Sequence, residues 1–242
     1  MKRWFILMTV LTISALLMGL IGKHSFRDNG VMGIRTLEDV RMLDCNVNQI
    51  FTRKDVDAFI NDLSVTFSKN LPDNTNVLIV KPTNNIRQYD FTMTQEVKII
   101  EVLTGSAEKG SLVELVAGGG VYDQRYKYIG DNYKNSRPIY FGMMNIMFPD
   151  NLYLVFVNAL NANNYTDTMR YRMAFSLFSA FNITDDYSIP IDKSANVISY
   201  NDFDNSEFLC ESYDTLEKLL KFKQQVIDQF LTSDQLERLR TN

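Results

Sequence analysis

The sequence predicts a mainly β protein with flanking helices (α+β), in which the strands form a small barrel and an amino-terminal helix spans the membrane. The central observation is residues 91–120, which read as a long strand, a turn between two glycines and a second strand. Apolar residues recur at helical spacing on both sides of this region, at residues 56–67 and 216–230. Residues 4–21 contain no charged side chain.

The first strand of this hairpin changes its apolar face halfway along. Val97 and Ile99 continue an alternation of apolar and polar residues with a period of two. Ile100 and Val102 are then apolar where polar residues are due. Such a slip predicts a β-bulge, which bends the strand. Long strands that bend in this way are typical of small barrels, in which one strand forms part of both sides of the barrel.

The turn and the second strand complete the hairpin. The turn, residues 104–111, has Gly105 and Gly110 near its ends, where a positive φ is expected. We expect the apolar residues with the strongest strand patterns to be buried together. They are Val97, Ile99, Val113, Leu115 and Phe156.

Two elements are predicted before the hairpin, and residues 36–48, which precede both of them, are ambiguous. Residues 56–67 form an amphipathic helix, for which Thr52 or Asp55 provides the amino-terminal cap. Residues 77–80 form a short buried strand, and residues 83–90 form a polar connection into the hairpin.

Four elements are predicted after the hairpin. The apolar run at residues 152–157 indicates a central strand. Residues 170–181 favour strand structure, and residues 197–200 suggest one short strand. A helix closes the chain, with Asp214 and Glu217 as its capping box.

The amino-terminal apolar run has the length of a membrane span. Eighteen uncharged residues at about 1.5 Å each approach the roughly 30 Å of a bilayer core. An uncleaved single-pass anchor is favoured over a cleaved signal peptide, because Leu20 does not match the small residue expected before a cleavage site. In both cases the chain from His24 onward lies outside the cytoplasm. The predicted organisation is therefore an anchor or signal peptide (residues 1–23), a tether with the amphipathic helix (24–70) and a β-barrel domain with the carboxy-terminal helix (71–242).

Composition excludes several classes of function. A net charge of −4 and a pI of about 5.1 give no reason to expect a nucleic-acid partner. His24 is the only histidine and lies beside the apolar run, which excludes a catalytic Ser-His-Asp arrangement in the rest of the chain. Residues 106–109 match the S-x-x-K acylation motif, but that motif requires a helix and these residues lie in the predicted turn. We expect no cofactor.

Metal binding and disulfide formation each leave alternatives. Asp202, Asp204 and Glu207 provide oxygen ligands of the kind calcium prefers, although a solvated polar loop explains them more simply. Two cysteines and one histidine do not make the usual four-ligand zinc site. Cys45 and Cys210 either form one disulfide in an oxidising compartment or remain two buried thiols.

Short motifs in the β region resemble a broad group of secreted or membrane-anchored bacterial proteins of uncharacterised function. The motifs are V-L-T-G at residues 102–105, Gly110, and Y-L-V-F at residues 153–156. Their arrangement is similar to the OB-like barrel of netrin-like and metalloproteinase-inhibitor domains. The resemblance covers about 80 residues. It implies a fold and no activity, since the cysteine framework of the eukaryotic inhibitors is absent.

A tyrosine-rich excursion at residues 121–140 is the predicted contact surface. Tyrosine and arginine are enriched in binding surfaces, and a loop of this length in a compact domain is often functional. The candidate binding residues are Tyr122, Arg125, Tyr126, Tyr128, Tyr133 and Arg137. The alternative is that these tyrosines pack over the barrel.

These observations together predict a non-enzymatic binding or interaction module, tethered to the cell membrane by residues 4–21 with its carboxy-terminal domain extracytoplasmic. An anionic or carbohydrate surface polymer and a protein are equally suitable partners. The alternatives are a carboxylate-dependent surface enzyme, a subunit of an envelope assembly, and, for localisation, a secreted protein.

Overall fold

The structure is a computed structural model that describes most of the chain beyond residue 32. The described residues are 33–43, 45–47, 50–69, 71–89, 92–117, 119–121, 137–140, 144–160, 168–175, 178–185, 188–190, 198–203 and 205–241, with isolated positions between 4 and 18. The chain divides into two units, Met1–Gly30 and Val31–Asn242.

The first unit is described at only a few positions, and those positions are helical. Most of the predicted anchor therefore lies outside the described residues and stays a prediction. Where residues are described, no helix combines the length and the hydropathy that a membrane crossing needs.

The second unit mixes helices and strands, which confirms the predicted α+β class. Its helices are α1 (Leu37–Met42), α2 (Arg53–Lys69), α3 (Tyr213–Phe230) and α4 (Ser233–Thr241), with a 3-10 helix at Tyr200–Asp202. Its strands are β1 (Cys45–Val47), β2 (Thr75–Tyr89), β3 (Thr92–Thr104), β4 (Leu112–Val116), β5 (Gly120–Val121), β6 (Arg137–Tyr140), β7 (Tyr153–Ala159), β8 (Arg170–Met173) and β9 (Ala180–Asn182).

Six of these strands form the main sheet, in the order β2-β3-β4-β8-β7-β9. Neighbouring strands are antiparallel except β4 and β8, which are parallel. Along its other edge, β2 also pairs with β7, from Thr75 to Val80. Strand pairing therefore runs β2-β3-β4-β8-β7 and returns to β2. The remaining three strands form a small sheet in the order β1-β6-β5.

The second strand is much longer than the sequence indicates. The predicted strand at residues 77–80 is present, but β2 continues to Tyr89, so the prediction of a polar connection at residues 83–90 is wrong. This part of β2 pairs with the first half of β3, from Ile86 with Gln95 to Tyr89 with Thr92. Most of its polar side chains are exposed, although Gln88 is buried, and the exposed ones give this segment a composition that resembles a loop.

The predicted bulge is present in β3. Ile79 pairs with Glu101 and Val80 pairs with Ile99, so Ile100 is an extra residue without a partner in β2. In the turn that follows, Gly105 has φ +106° and Gly110 has φ +87°. Both values confirm the predicted need for glycine.

The first core cluster covers the inner face of the main sheet. The five residues predicted to be buried together all belong to it, and each is at most 2% exposed: Val97, Ile99, Val113, Leu115 and Phe156. In β7, residues 154–157 are fully buried, as a central strand requires. Phe67 of α2 contacts Phe156 edge to face, with ring centroids 4.8 Å apart, so α2 packs on this core.

The second core cluster lies under the far end of the β2–β3 hairpin. Ile86 and Met93 of the hairpin pack with Val40 of α1 and with Val121 and Ile139 of the small sheet. Residues 36–48, which are ambiguous in sequence, thus contribute a short helix and an edge strand to this cluster.

Helix starts follow local signals, with one correction. At α2, Thr52 and Asp55 exchange hydrogen bonds between side chain and backbone, so both predicted capping residues take part. At α3 the cap is Ser212, whose hydroxyl accepts a hydrogen bond from the Thr215 amide. The predicted capping box of Asp214 and Glu217 is therefore wrong.

Residues 170–181 form two short strands, β8 and β9, where the sequence favours one stretch of strand structure. The sequence suggests a short strand at residues 197–200. Among the described residues of this range, Ser199 forms one β-bridge with Asn46, and the 3-10 helix begins at Tyr200.

The structure has two buried thiols and no bond between the cysteines. Cys45 belongs to the second core cluster and Cys210 to the first. Burial raises the pKa of the Cys210 thiol to about 11.

Candidate functional site

The predicted binding residues of the excursion fall largely outside the described residues. Five of them belong to residues 122–136, and only the backbone of Arg137 is described, at the start of β6. The base of the excursion is described. There the Val121 amide donates to Oε1 of Gln88 at 3.2 Å, so the excursion begins beside the end of β2.

The outer face of the main sheet carries a row of polar side chains next to this point. Glu114 of β4 is paired in register with Glu96 of β3 and with Arg170 of β8. Its chain neighbours Val113 and Leu115 are buried in the first core cluster. Because side chains alternate along a strand, Glu114 and Arg170 point away from that core.

Glu114 is held between two arginines. Its Oε1 accepts a hydrogen bond from Nη1 of Arg87 at 3.0 Å, and its Oε2 accepts one from Nε of Arg170 at 2.7 Å. The Glu114 side chain is only 6% exposed, whereas those of Arg87 and Arg170 are 52% and 30% exposed. The carboxylate is thus covered by two guanidinium groups that themselves reach the surface.

Tyr89 completes this arrangement, and we call Arg87, Tyr89, Glu114 and Arg170 the Glu114 cluster. The Arg170 guanidinium carbon lies 5.4 Å from the centre of the Tyr89 ring, a cation–π contact. Arg170 Nη2 also donates to the Tyr89 hydroxyl at 3.4 Å. The Tyr89 hydroxyl and the charge of Glu114 raise the pKa of Arg87. Each guanidinium has more N–H donors than these contacts use.

A groove of about 440 Å³ adjoins the cluster along the outer segment of β2. We call it the Arg35 groove, and its polar lining consists of Arg35, Asn85, Arg87, Gln88 and Tyr89. Its volume falls within the roughly 300–1,000 Å³ of small-ligand sites. The groove shares Arg87 and Tyr89 with the Glu114 cluster, so the two form one continuous surface.

Carboxylates beside this surface balance its arginines. Glu96 accepts a hydrogen bond from Nδ2 of Asn85 at 2.9 Å. Asp39 accepts one from the Arg35 amide, and this bond lowers the pKa of that carboxyl. The surface therefore offers directed N–H donors and an aromatic ring, with little net charge. Such a surface suits a polar ligand that presents separate carboxylates, each of which can accept directed hydrogen bonds, better than a ligand with densely spaced phosphates.

A second ionic group is enclosed within the protein. Lys223 of α3 donates to Glu207 Oε2 at 2.7 Å, and both side chains are 3% exposed. Lys223 also donates to the Asp185 carbonyl, and Glu207 Oε1 accepts from the Asn182 amide at 2.8 Å. Glu207 is therefore engaged in this pair and is not a calcium ligand. Asp204 lies outside the described residues.

The geometry of the other motifs considered in the sequence is as follows. Ser106 and Lys109 lie in the turn between β3 and β4, where no helix places the lysine on the serine. In the described part of the chain, no group of three or more His, Cys, Asp or Glu residues is arranged to hold a metal. An apolar cavity beside Gln95 and Met147 measures about 70 Å³, below the size of small-ligand sites at roughly 300 Å³.

No protein-family model matches the chain, and no curated protein sequence matches it. The Glu114 cluster is also not evident from the sequence. Arg87, Glu114 and Arg170 are separated by 27 and 56 positions, and only the pairing of β2, β3, β4 and β8 brings them together. The one available signal is the single glutamate within the apolar strand LVELV, because a charged residue at such a position requires a partner.

Proposed function

We propose that this protein is a non-enzymatic binding module with an OB-like barrel, and that it binds an anionic carbohydrate polymer through the Glu114 cluster and the Arg35 groove. The returning strand circuit and the parallel β4–β8 pair support the barrel. OB-folds bind oligosaccharides and oligonucleotides on the face of their second and third strands. In the circuit that starts at β2, those strands are β3 and β4.

The Glu114 cluster carries the choice of ligand. Two half-exposed guanidinium groups, held in place by one buried carboxylate, can donate paired hydrogen bonds to a sugar carboxylate. Since Glu114 already orients both groups, less side-chain entropy is lost on binding. The exposed Tyr89 ring offers a flat apolar surface on which a sugar ring can lie. A nucleic acid is a poorer match, because its dense phosphates require a strong positive patch.

The setting that we propose is the outer side of a cell membrane. Residues 4–21 act as the anchor, and the unit that begins at Val31 faces the cell envelope. Val121, the last described residue before residues 122–136, is hydrogen-bonded to Gln88, which is the chain neighbour of Tyr89. The tyrosines and arginines of the excursion would extend the same contact surface.

A binding titration with defined polysaccharides tests this function. We expect the protein to bind polygalacturonate, which carries a carboxylate on each sugar, and not the uncharged polymer amylose. Arg87→Met should weaken the affinity by about tenfold or more, the value of one charge-assisted hydrogen bond. Binding should also weaken as ionic strength rises.

Arg53→Met is the matched control, because it removes another exposed guanidinium and changes the net charge equally. Arg53 pairs with Asp214 at 2.6 Å, away from the sheet face. The control should bind polygalacturonate as the unchanged protein does. Equal losses of polygalacturonate affinity in Arg87→Met and Arg53→Met would show that only net charge matters. Binding of amylose as tight as that of polygalacturonate would show that the arginines do not recognise the carboxylates. Either result contradicts the proposal.

A further inference from the structure

A second groove, separate from the carbohydrate surface, lies between α4 and the strands of the main sheet. It has a volume of about 500 Å³, again within the roughly 300–1,000 Å³ of small-ligand sites. Its walls come from β2, β3, the turn between β3 and β4, the turn before β7, and α4. We call it the α4 groove.

The rim of the α4 groove is cationic. Its lining includes four basic side chains, Lys81, Lys109, Arg238 and Arg240, and two acidic ones, Glu101 and Asp150. Four positive and two negative side chains give the lining a local charge of +2, on a chain whose net charge is −4. Local charge of this sign attracts anions over a distance of about a Debye length, roughly 8–10 Å in ordinary buffers.

The floor of the groove is apolar. Ile100, Leu152 and Leu239 line it, and all three pack against the first core cluster. An apolar floor under a cationic rim matches a ligand that has an anionic group at one end and an apolar or ring-shaped part at the other.

One of the cations is held in a fixed orientation. Nε of Arg240 donates to the Ile183 carbonyl at 2.7 Å, which ties the end of α4 to the segment after β9. A guanidinium held through Nε still has its two Nη groups to donate to phosphate or carboxylate oxygens. Lys81 lies 3.5 Å from Asp150, with both side chains well exposed, so that pair is weak.

From the charge, the floor and the orientation of Arg240, we propose that the α4 groove binds a small soluble phosphate monoester. A phosphate monoester carries a charge of about −1.5 to −2 near neutral pH, which matches the local +2. Carboxylates carry a single charge and match it less well. The inference does not depend on the proposed carbohydrate surface, because the two sites share no lining residue.

Calorimetric titration with phenyl phosphate tests the proposal on the full chain. We expect millimolar or tighter binding at low ionic strength, weaker binding of benzoate, and no binding of benzyl alcohol. Arg240→Met and Lys109→Met should each weaken phenyl phosphate binding by about tenfold, the effect of losing one charge-assisted contact. Arg53→Met and Arg87→Met should leave it unchanged.

Three outcomes would overturn this proposal. The first is an absence of phenyl phosphate binding at low ionic strength by a protein that melts cooperatively. The second is phenyl phosphate binding that is unchanged in both Arg240→Met and Lys109→Met. Lys109 lies in an exposed turn, so its replacement should not disturb folding. The third is binding to vesicles that contain phosphatidate without binding of phenyl phosphate, which would assign the groove to a membrane surface instead.

Discussion

Two ionic groups in this protein use similar chemistry in opposite surroundings. The Glu207–Lys223 pair is closed on all sides, and its two side chains are each 3% exposed. The Glu114 cluster also has a nearly buried carboxylate, but its two arginines are 30% and 52% exposed. In both groups the carboxylate accepts two hydrogen bonds from different parts of the chain.

The difference lies in what the cation can still do. Lys223 points into the protein, where it joins α3 to the segments around Asp185 and Glu207, so its contacts serve only the fold. Arg87 and Arg170 cover Glu114 from outside and keep N–H donors at the surface. We therefore interpret the closed ion pair as structural, and we propose that the carboxylate capped by exposed arginines serves recognition. The following substitutions test this distinction, in decreasing order of their expected effect on stability.

Removing the cation of the closed pair should have the largest effect. Lys223→Met leaves the Glu207 carboxylate buried without its counter-charge, and we expect a loss of about 3–5 kcal/mol in the free energy of unfolding. Urea denaturation measures it. The double change Lys223→Met with Glu207→Gln should recover most of the loss, because Gln removes the charge and still accepts from the Asn182 amide. A loss below about 1 kcal/mol for Lys223→Met would show that this pair behaves as an exposed one.

The inward neighbour of Glu114 should come next. Leu115→Ala removes a side chain that is 1% exposed in the first core cluster, so the free energy of unfolding should fall by about 2–5 kcal/mol. Polygalacturonate binding by the folded protein should not change, since Leu115 faces away from the Glu114 cluster. A loss under about 0.5 kcal/mol would mean that β4 does not contribute to the core.

Removing the charge of Glu114 should separate stability from binding. Glu114→Gln leaves two arginines that water can reach, so we expect a loss of only about 1–2 kcal/mol in the free energy of unfolding. Affinity for polygalacturonate should fall more clearly, because the guanidinium groups lose the carboxylate that orients them. Thermal melting and titration on the same sample measure both quantities. If Glu114→Gln destabilises the protein as much as Lys223→Met does, the cluster is structural and the distinction fails.

The smallest effects should come from exposed arginines. Arg87→Met and Arg53→Met each remove one partner of an ion pair with an exposed guanidinium, and each should cost about 0.2–1 kcal/mol. Arg87→Met should be the costlier, because its partner Glu114 is buried and the Asp214 partner of Arg53 is not. Denaturation curves measured in parallel make the comparison. Equal costs would imply that Arg170 alone is sufficient for Glu114.

The sequence was most informative where a single local pattern decides the outcome. The slip after Ile99 predicted the bulge at Ile100, and Gly105 and Gly110 have the positive φ expected of them. The capping residues of α2 were also evident, because Thr52 and Asp55 act within one turn. Each of these signals depends on neighbours in the chain, so it can be read without knowledge of the fold.

The elements that the sequence predicts wrongly are those whose structural partners lie far away in the chain. Residues 83–89 are polar on one face and form strand because β3 pairs with them. Ser212 and Asp214 are both reasonable caps for α3, and the choice depends on where the chain leaves its bridge at Cys210. Local propensity leaves such cases open, since contacts from other elements outweigh its small energies.

Sequence pattern alone is sufficient to predict the α+β class, the bulged hairpin and the buried faces of its strands. Which charges meet depends on the tertiary structure. Glu114, Arg87 and Arg170 become one cluster through strand register, and Glu207 and Lys223 become one pair through the packing of α3. The physical reason is that apolar periodicity is a property of one segment, whereas an ion pair requires two segments to be placed within about 4 Å of each other.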